Sequence, residues 1–127
     1  DQGERRYSFK FIFGDKKSVL KMIDRKAIEY NEKPMVLTAY PADEGEKPGK
    51  LLNISGKKIS LQAFKKAEDG NGYIMRLYNG SFKSSKAVVE SELLGFSMEL
   101  KLGPTEIRTY RIADGEVTIT DLIEREV

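Results

Sequence analysis

The side chains best placed to bind a metal ion lie in one turn of the chain, EDGNG, Glu68 to Gly72. Glu68, Asp69 and Asn71 offer the oxygen ligands that Ca²⁺ prefers. An EF-hand-like loop also needs ligands at alternating positions and a distant bidentate Glu, whereas this chain turns straight into an apolar strand. Because Asp-Gly and Asn-Gly tolerate positive φ, we predict a hairpin loop here rather than a calcium site.

A second candidate is Arg76, in the segment YIMRLYN that follows this turn. Ile74 and Tyr78 share its face of the predicted strand, so its guanidinium is expected to be half-buried. A half-buried guanidinium needs an acceptor. Two alternatives remain open for that acceptor: a carboxylate of this chain, such as Glu90 or Glu92, or a surface that lies outside it.

The composition excludes several kinds of chemistry. The 127 residues include no histidine and no cysteine, so the chain lacks the commonest metal ligand, thiolate zinc sites, thiol nucleophiles and disulfides. A net charge of +2 gives little field to attract nucleic acid. No apolar run approaches the ~20 residues that a bilayer requires. We therefore predict no nucleic acid or membrane partner, and a cytoplasmic location.

Carboxylates are the remaining candidates for catalysis. Hydrolysis of a glycosidic bond needs two carboxyl groups that converge from separate elements. The candidates instead fall mostly at outward or turn positions: Glu99, Glu106, Asp114, Asp121 and Glu124. The sequence therefore gives no indication of a catalytic pair of carboxyl groups.

Four aromatic residues alternate with other residues near the start of the chain: Tyr7, Phe9, Phe11 and Phe13. Period-2 alternation predicts a strand with all four on one face. That face is either part of a core or a platform for stacking sugar rings. We favour the core, because aromatic side chains supply much of the buried area in a small domain.

A helix is predicted next, with Asp15 or Ser18 as its cap and Pro34 at its end. A short strand, Met35 to Pro41, and a polar Gly/Pro loop follow. We predict that residues 1–48 form a strand–helix–strand segment with a linker. Since the first residue is not Met, we also expect the chain to be a piece of a longer protein.

Residues 49–127 are predicted to form an antiparallel β-sandwich. Short alternating segments follow one another at near-regular spacing, separated by turn residues. The seven predicted strands are Leu51–Ile54, Lys58–Ala67, Gly72–Asn79, Ser85–Leu93, Phe96–Leu102, Glu106–Ala113 and Glu116–Ile123. The predicted fold class is therefore all-β, with one N-terminal helix.

Three segments carry a resemblance to a known family. LQAFKKAEDGNGYIMRLYNGS, Leu61 to Ser81, closely resembles a segment near the C-terminus of glycoside hydrolase family 38 α-mannosidases. DQGERRYSF, Asp1 to Phe9, is similar to that family's Asp-x-Gly-Glu-His-x-Phe-x-Tyr stretch. GPTEIRTYRI, which starts at Gly103, resembles its closing strand. The three matches occur in the family's order.

The resemblance implies a non-catalytic C-terminal β-sandwich region of a retaining, zinc-dependent α-mannosidase. The nucleophilic Asp and the zinc ligands of such an enzyme would lie upstream of Asp1, so no catalytic, cofactor or metal residue is assigned to this chain. The implied partner is the catalytic domain of the same parent chain, and we predict that Arg76, Tyr78 and Asn79 contact it.

Two other functions are kept as alternatives. The first is a carbohydrate-binding module that holds α-mannoside glycans on the aromatic face of Tyr7 to Phe13. The second is an Ig-like interaction module without sugar chemistry.

Overall fold

The computed structural model describes residues 3–36 and 49–127. The chain divides into two units, Asp1–Asp43 and Glu44–Val127, and each is described by itself. The predicted domain boundary between residues 48 and 49 stays a prediction. The predicted strand from Met35 to Pro41 lies mostly outside the described residues.

The second unit is a sandwich of two antiparallel sheets. Its strands are β1 (Asn53–Ile54), β2 (Ile59–Lys66), β3 (Tyr73–Asn79), β4 (Ser85–Ser91), β5 (Phe96–Leu102), β6 (Ile107–Ala113) and β7 (Glu116–Thr120). One sheet has the order β1-β4-β5 and the other has the order β2-β3-β6-β7. The predicted all-β sandwich of seven strands with one helix is therefore confirmed.

The core lies between the two sheets and follows from the alternation of their strands. β5 directs Phe96, Leu100 and Leu102 inward, while β3 contributes Met75 and Leu77, both 0% exposed. Met98 lies on the same inward face of β5, whereas Ser97, Glu99 and Lys101 face outward, because successive side chains of a strand point to opposite faces. Each large apolar side chain buried in this way stabilises the fold by about 1.5–3 kcal/mol.

The first unit contains the helix α1, Lys16–Asn31. It is capped by Asp15, whose Oδ1 accepts a hydrogen bond from Ser18 N at 3.0 Å, and hydrogen bonds from Ser18 lower the pKa of the Asp15 carboxyl. The predicted helix and its Asp15 cap are thus observed, although α1 ends before Pro34. No residue of α1 is buried, and no helix in the described part of the chain could cross a membrane.

The predicted strand from Tyr7 to Phe13 is wrong. Residues 4–13 form no strand, and the four aromatic side chains are between 73% exposed at Tyr7 and 91% exposed at Phe13. The favoured core position is therefore wrong as well. Alternation produces a strand only where a second strand supplies hydrogen bonds and packing, and within residues 3–36 and 49–127 no strand pairs with this segment.

Candidate functional site

The outer face of the four-stranded sheet is partly covered by the C-terminal segment, residues 121–127. The segment turns back on itself, with Asp121 N donating to Arg125 O at 2.8 Å. Asp121 Oδ1 also accepts hydrogen bonds from the backbone N–H groups of Ile123 and Arg125, both at 2.9 Å. Ile74 lies on this face of β3 and is 0% exposed. The face of β3 that carries Arg76 and Tyr78 is therefore not simply open to solvent.

Arg76 is half-buried on this face, as expected, and it has hydrogen-bond acceptors within this chain. Its Nε donates to Thr109 Oγ1 at 3.2 Å and its Nη2 donates to Leu122 O at 3.0 Å. Neither Glu90 nor Glu92, the carboxylates considered as one of two alternatives, is among these partners. β4, which contains Glu90, lies in the other sheet, and the acceptor is a backbone carbonyl that no charge pattern could indicate.

Asn79 is buried at 0% exposure. Its Nδ2 donates to the carbonyls of Lys83 at 2.9 Å, Leu102 at 3.3 Å and Gly103 at 2.6 Å. Its Oδ1 accepts from Ser81 N at 3.1 Å. The side chain therefore joins the end of β3 to the end of β5 in the other sheet, and this is a structural role within the sandwich.

Tyr78 lies half-buried on the same outer face as Arg76. Its neighbours across the sheet are Ser60 on β2 and Ile107 on β6. Ile107 is 52% exposed, so part of this end of the face is apolar and accessible. The contact of Arg76, Tyr78 and Asn79 with another domain stays a prediction.

A group of charged residues fixes the C-terminal segment to the edge of the sheet. We call it the Glu124 cluster, and it consists of Lys65, Glu68, Asp69, Arg111 and Glu124. Glu124 accepts from Lys65 Nζ at 2.6 Å and from Glu68 N at 2.9 Å. Arg111 binds both Asp69 carboxylate oxygens, at 2.9 and 2.8 Å, and donates to Glu124 O at 3.1 Å. The cluster thus ties the β2–β3 turn to the C-terminal segment.

The pKa values of Lys65, Asp69 and Glu124 in this cluster shift toward the charged forms. The hydrogen bond from Glu68 N, followed by that from Lys65, lowers the pKa of Glu124. The hydrogen bond from Arg111 is the main cause of a lowered pKa at Asp69. Glu124 in turn raises the pKa of Lys65. At neutral pH these groups are ionised, and they stabilise one another rather than exchange protons.

Glu124 lies in a turn, as its expected outward or turn position allows, since its N donates to Asp121 O at 3.2 Å and its backbone has a φ of 70°. Its burial was not expected, because the residue is only 8% exposed. The available signal was Asp121 directly after the last strand, because Asp favours turns in which its side chain binds following backbone N–H groups. The position of Asp121 predicts a turn, but it does not predict which face of the sandwich the C-terminal segment packs against.

The predicted hairpin at Glu68–Gly72 is confirmed, since β2 and β3 pair on either side of it. Gly70 and Gly72 have φ values of 80° and 81°. Asp69, considered above as a calcium ligand, is bound by Arg111 and accepts from Asn71 N at 2.9 Å. Among residues 3–36 and 49–127, no three side chains of His, Cys, Asp or Glu are grouped so that they could hold a metal ion.

An open groove of about 540 Å³ lies over β4 and β5 of the three-stranded sheet. The groove is lined by the charged residues Lys86, Glu99 and Lys101. Ser55 and Val88 also line it. Lys86 and Lys101 are directly opposite each other across the two strands. Among residues 3–36 and 49–127, no aromatic side chain lines the groove, so this part of the chain offers no ring there on which a sugar could stack.

Comparison with known proteins gives one match. Residues 58–97 match the family model described as "Glycosyl hydrolases family 38 C-terminal beta sandwich domain". This range contains β2, the hairpin turn, β3 and β4, and it ends at the start of β5, so it takes in parts of both sheets. No curated protein and no solved structure matches the chain. The match confirms the resemblance expected from Leu61 to Ser81, and it shows that residues 58–97 are similar to the C-terminal β-sandwich domain of family 38 glycosyl hydrolases.

Proposed function

We propose that this chain is the non-catalytic C-terminal region of a retaining α-mannosidase and packs against the catalytic domain of the same parent chain. The family match over residues 58–97 carries the proposal. The match supports the family and the region of the enzyme. The α-mannosidase activity and the packing are inferred from the resemblance of the three sequence segments.

The state of the carboxyl groups supports a structural role for the described region. A glycosidase needs an acid whose pKa is raised so that it holds a proton near neutral pH. The pKa values of Asp69, Glu106, Asp121 and Glu124 are instead lowered, because each accepts hydrogen bonds from backbone N–H groups or cationic side chains. Through these hydrogen bonds the four carboxylates stabilise turns and the C-terminal segment.

The zinc of the parent enzyme is proposed to lie in its catalytic domain. The residues of this chain do not fit that metal, because the sequence has neither histidine nor cysteine, and no group of Asp and Glu in the described ranges is arranged to replace them.

The proposed packing surface is the outer face of the four-stranded sheet around Tyr78. There a half-buried tyrosine lies next to Ile107, which is 52% exposed. Amphipathic aromatic residues beside accessible apolar side chains are typical of interface centres. Arg76 contributes by holding the C-terminal segment in place, and Asn79 contributes by fixing the strand ends.

The first experiment measures hydrolysis of an aryl α-mannoside in the presence of zinc. We expect turnover by the parent enzyme and none by the isolated 127-residue chain. Zinc-dependent turnover by the isolated chain, at a rate normal for an enzyme, would show that catalytic groups lie within it and would contradict the proposal.

The second experiment tests the packing with Tyr78→Ala in the parent enzyme. We expect a lower melting temperature and lower activity, because the substitution removes the centre of the proposed contact. The matched control is Phe82→Ala, since Phe82 is also aromatic but is 90% exposed in the loop before β4. Equal effects of the two substitutions would contradict a contact at Tyr78.

A specific observation also favours a second function, carbohydrate binding. Tyr7, Phe9, Phe11 and Phe13 are strongly exposed, and exposed aromatic rings can stack on sugar rings. Titration of the chain with a methyl α-mannoside, followed by amide chemical shifts, should then give saturable shifts in this segment that Phe9→Ala abolishes and Phe82→Ala leaves unchanged. A titration without saturation would exclude this function.

The cytoplasmic location, and the lack of a nucleic-acid or membrane partner, stay predictions from composition.

A further inference from the structure

The free edge of β5 differs from the other sheet edges of the sandwich. An unpaired edge presents backbone N–H and C=O groups that can pair with another chain, and soluble proteins usually protect it. β1 is only two residues long. β2 contains a register shift between Leu61 and Ala63. The edge of β7 is partly paired with the C-terminal segment, through an antiparallel β-bridge between Thr120 and Glu126.

β5 has none of these protections. It is seven residues long and pairs with β4 in unbroken register from Phe96 to Leu102. No described strand pairs with its other edge. A long, regular and unpaired strand of this kind is a template for strand addition.

The backbone groups at this edge can be assigned. Ser55 N donates to Val88 O, and Val88 N donates to Ser55 Oγ, so both backbone groups of Val88 point away from β5. Since alternate residues of an antiparallel strand point to opposite neighbours, the residues paired across β4 and β5 by hydrogen bonds are those on either side of Val88. The groups of Ser97, Glu99 and Lys101 in β5 therefore face the free edge.

We propose that a second copy of this chain adds to that edge, with the two β5 strands antiparallel and centred on Leu100. This register places Glu99 of each copy opposite Lys101 of the other, which gives two cross-strand ion pairs and hydrogen-bonded backbone pairs at the same positions. The neighbouring register, centred on Glu99, would place two like charges opposite each other. Charge complementarity therefore favours a second copy as the partner, and it favours this register over the one centred on Glu99.

The three-stranded sheets of the two copies then form one six-stranded sheet. Lysine on an edge strand usually discourages pairing with another chain. Here Lys101 lies opposite the negatively charged Glu99 of the second copy. The contact is small, so we expect a weak dimer, with a dissociation constant between about 1 μM and 1 mM. This inference is independent of the proposed enzymatic function of the parent chain.

Sedimentation velocity of the 127-residue chain over roughly that concentration range tests the proposal. We expect a reversible monomer–dimer equilibrium. Glu99→Lys alone and Lys101→Glu alone should each abolish the dimer, because both create like-charge pairs. The double variant should restore it, and so should an equimolar mixture of the two single variants, in which every cross-strand pair is complementary.

Several results would overturn the proposal. A chain that stays monomeric throughout the range would show that a second copy does not occupy this edge, and a strand from elsewhere in the parent protein would then be the alternative occupant. A dimer that Lys101→Glu leaves intact would exclude the register centred on Leu100. A mixture of single variants that stays monomeric would exclude direct pairing of the two positions. Circular dichroism of each variant checks that the single charge changes, both at exposed positions, leave the fold unchanged.

Discussion

Asn79 and Gly103 connect the two sheets through one hydrogen bond, in which Asn79 Nδ2 donates to Gly103 O at 2.6 Å. Asn79 ends β3 in the four-stranded sheet, and Gly103 follows β5 in the three-stranded sheet. Two further carbonyls accept from the same nitrogen. One buried amide therefore fixes the distance between the ends of two strands that the chain places in different sheets.

Asn79→Ala should destabilise the isolated chain by about 2 kcal/mol, because it leaves buried carbonyls without donors. Urea unfolding measures the change in free energy. Asn71→Ala is the matched control, since Asn71 is exposed in the β2–β3 turn. A cost at Asn79 no larger than that at Asn71 would show that water replaces the amide without loss.

Two glycines of the same turn should respond differently to alanine. Both have positive φ, so each substitution costs about 1–2 kcal/mol in backbone strain. At Gly70 a Cβ would meet nothing within 4 Å, whereas at Gly72 it would lie 2.2 Å from Ile112 O. Gly72→Ala should therefore cost about 1–3 kcal/mol more than Gly70→Ala. Denaturant unfolding of the two variants gives this difference directly, and equal costs would contradict the close approach of β6.

Glu124→Gln should lower the melting temperature of the chain, because it removes the charge that Lys65 and Glu68 N contact. Its shape is nearly unchanged, so the effect reports electrostatics rather than packing. Glu92→Gln, at an exposed position of the turn before β5, is the control. The prediction fails if both variants melt at the same temperature as the unmodified chain.

Acid should weaken the fold through the Glu124 cluster. The pKa values of Asp69 and Glu124 are lowered in the folded chain, so their stabilisation is present above the ordinary carboxyl pKa of about 4 and is lost as pH falls through the folded values. The melting temperature should therefore decrease between roughly pH 5 and pH 2.

The same experiment has an internal control. Glu124→Gln should show a smaller decrease in melting temperature over this acid range, because it no longer has that carboxylate to protonate. Lys65 has a raised pKa, so its contribution is retained below its ordinary pKa of about 10.4 and should not change between about pH 6 and pH 9. A larger loss in that neutral range than in acid would contradict this account.

Much of the sandwich could be predicted from local pattern. β5 is the clearest case, because its apolar and polar residues alternate strictly between Gly95 and the Gly103-Pro104 pair. The helix cap at Asp15 and the hairpin at Glu68–Gly72 were predictable for the same reason. In each case a few consecutive residues determine the local conformation.

The features that could not be predicted depend on residues distant in the chain. Arg76 binds Leu122 O, a backbone acceptor 46 residues away, and no side-chain type marks that position. The alternating aromatic residues from Tyr7 to Phe13 have the same local pattern as a strand, yet no described strand pairs with them. The type of a side chain shows whether it needs a hydrogen-bonding or packing partner. Which residues become its partners depends on the topology of the whole fold.

The strand order has a consequence for synthesis. β3 lies between β2 and β6, so the β2–β3 hairpin leaves the ribosome well before the strand that completes its other side. Until β6 emerges, the side chains of Met75 and Leu77 are not fully buried. We therefore expect the four-stranded sheet to close only after β6 has been synthesised, because the pairing of β3 with β6 is non-local.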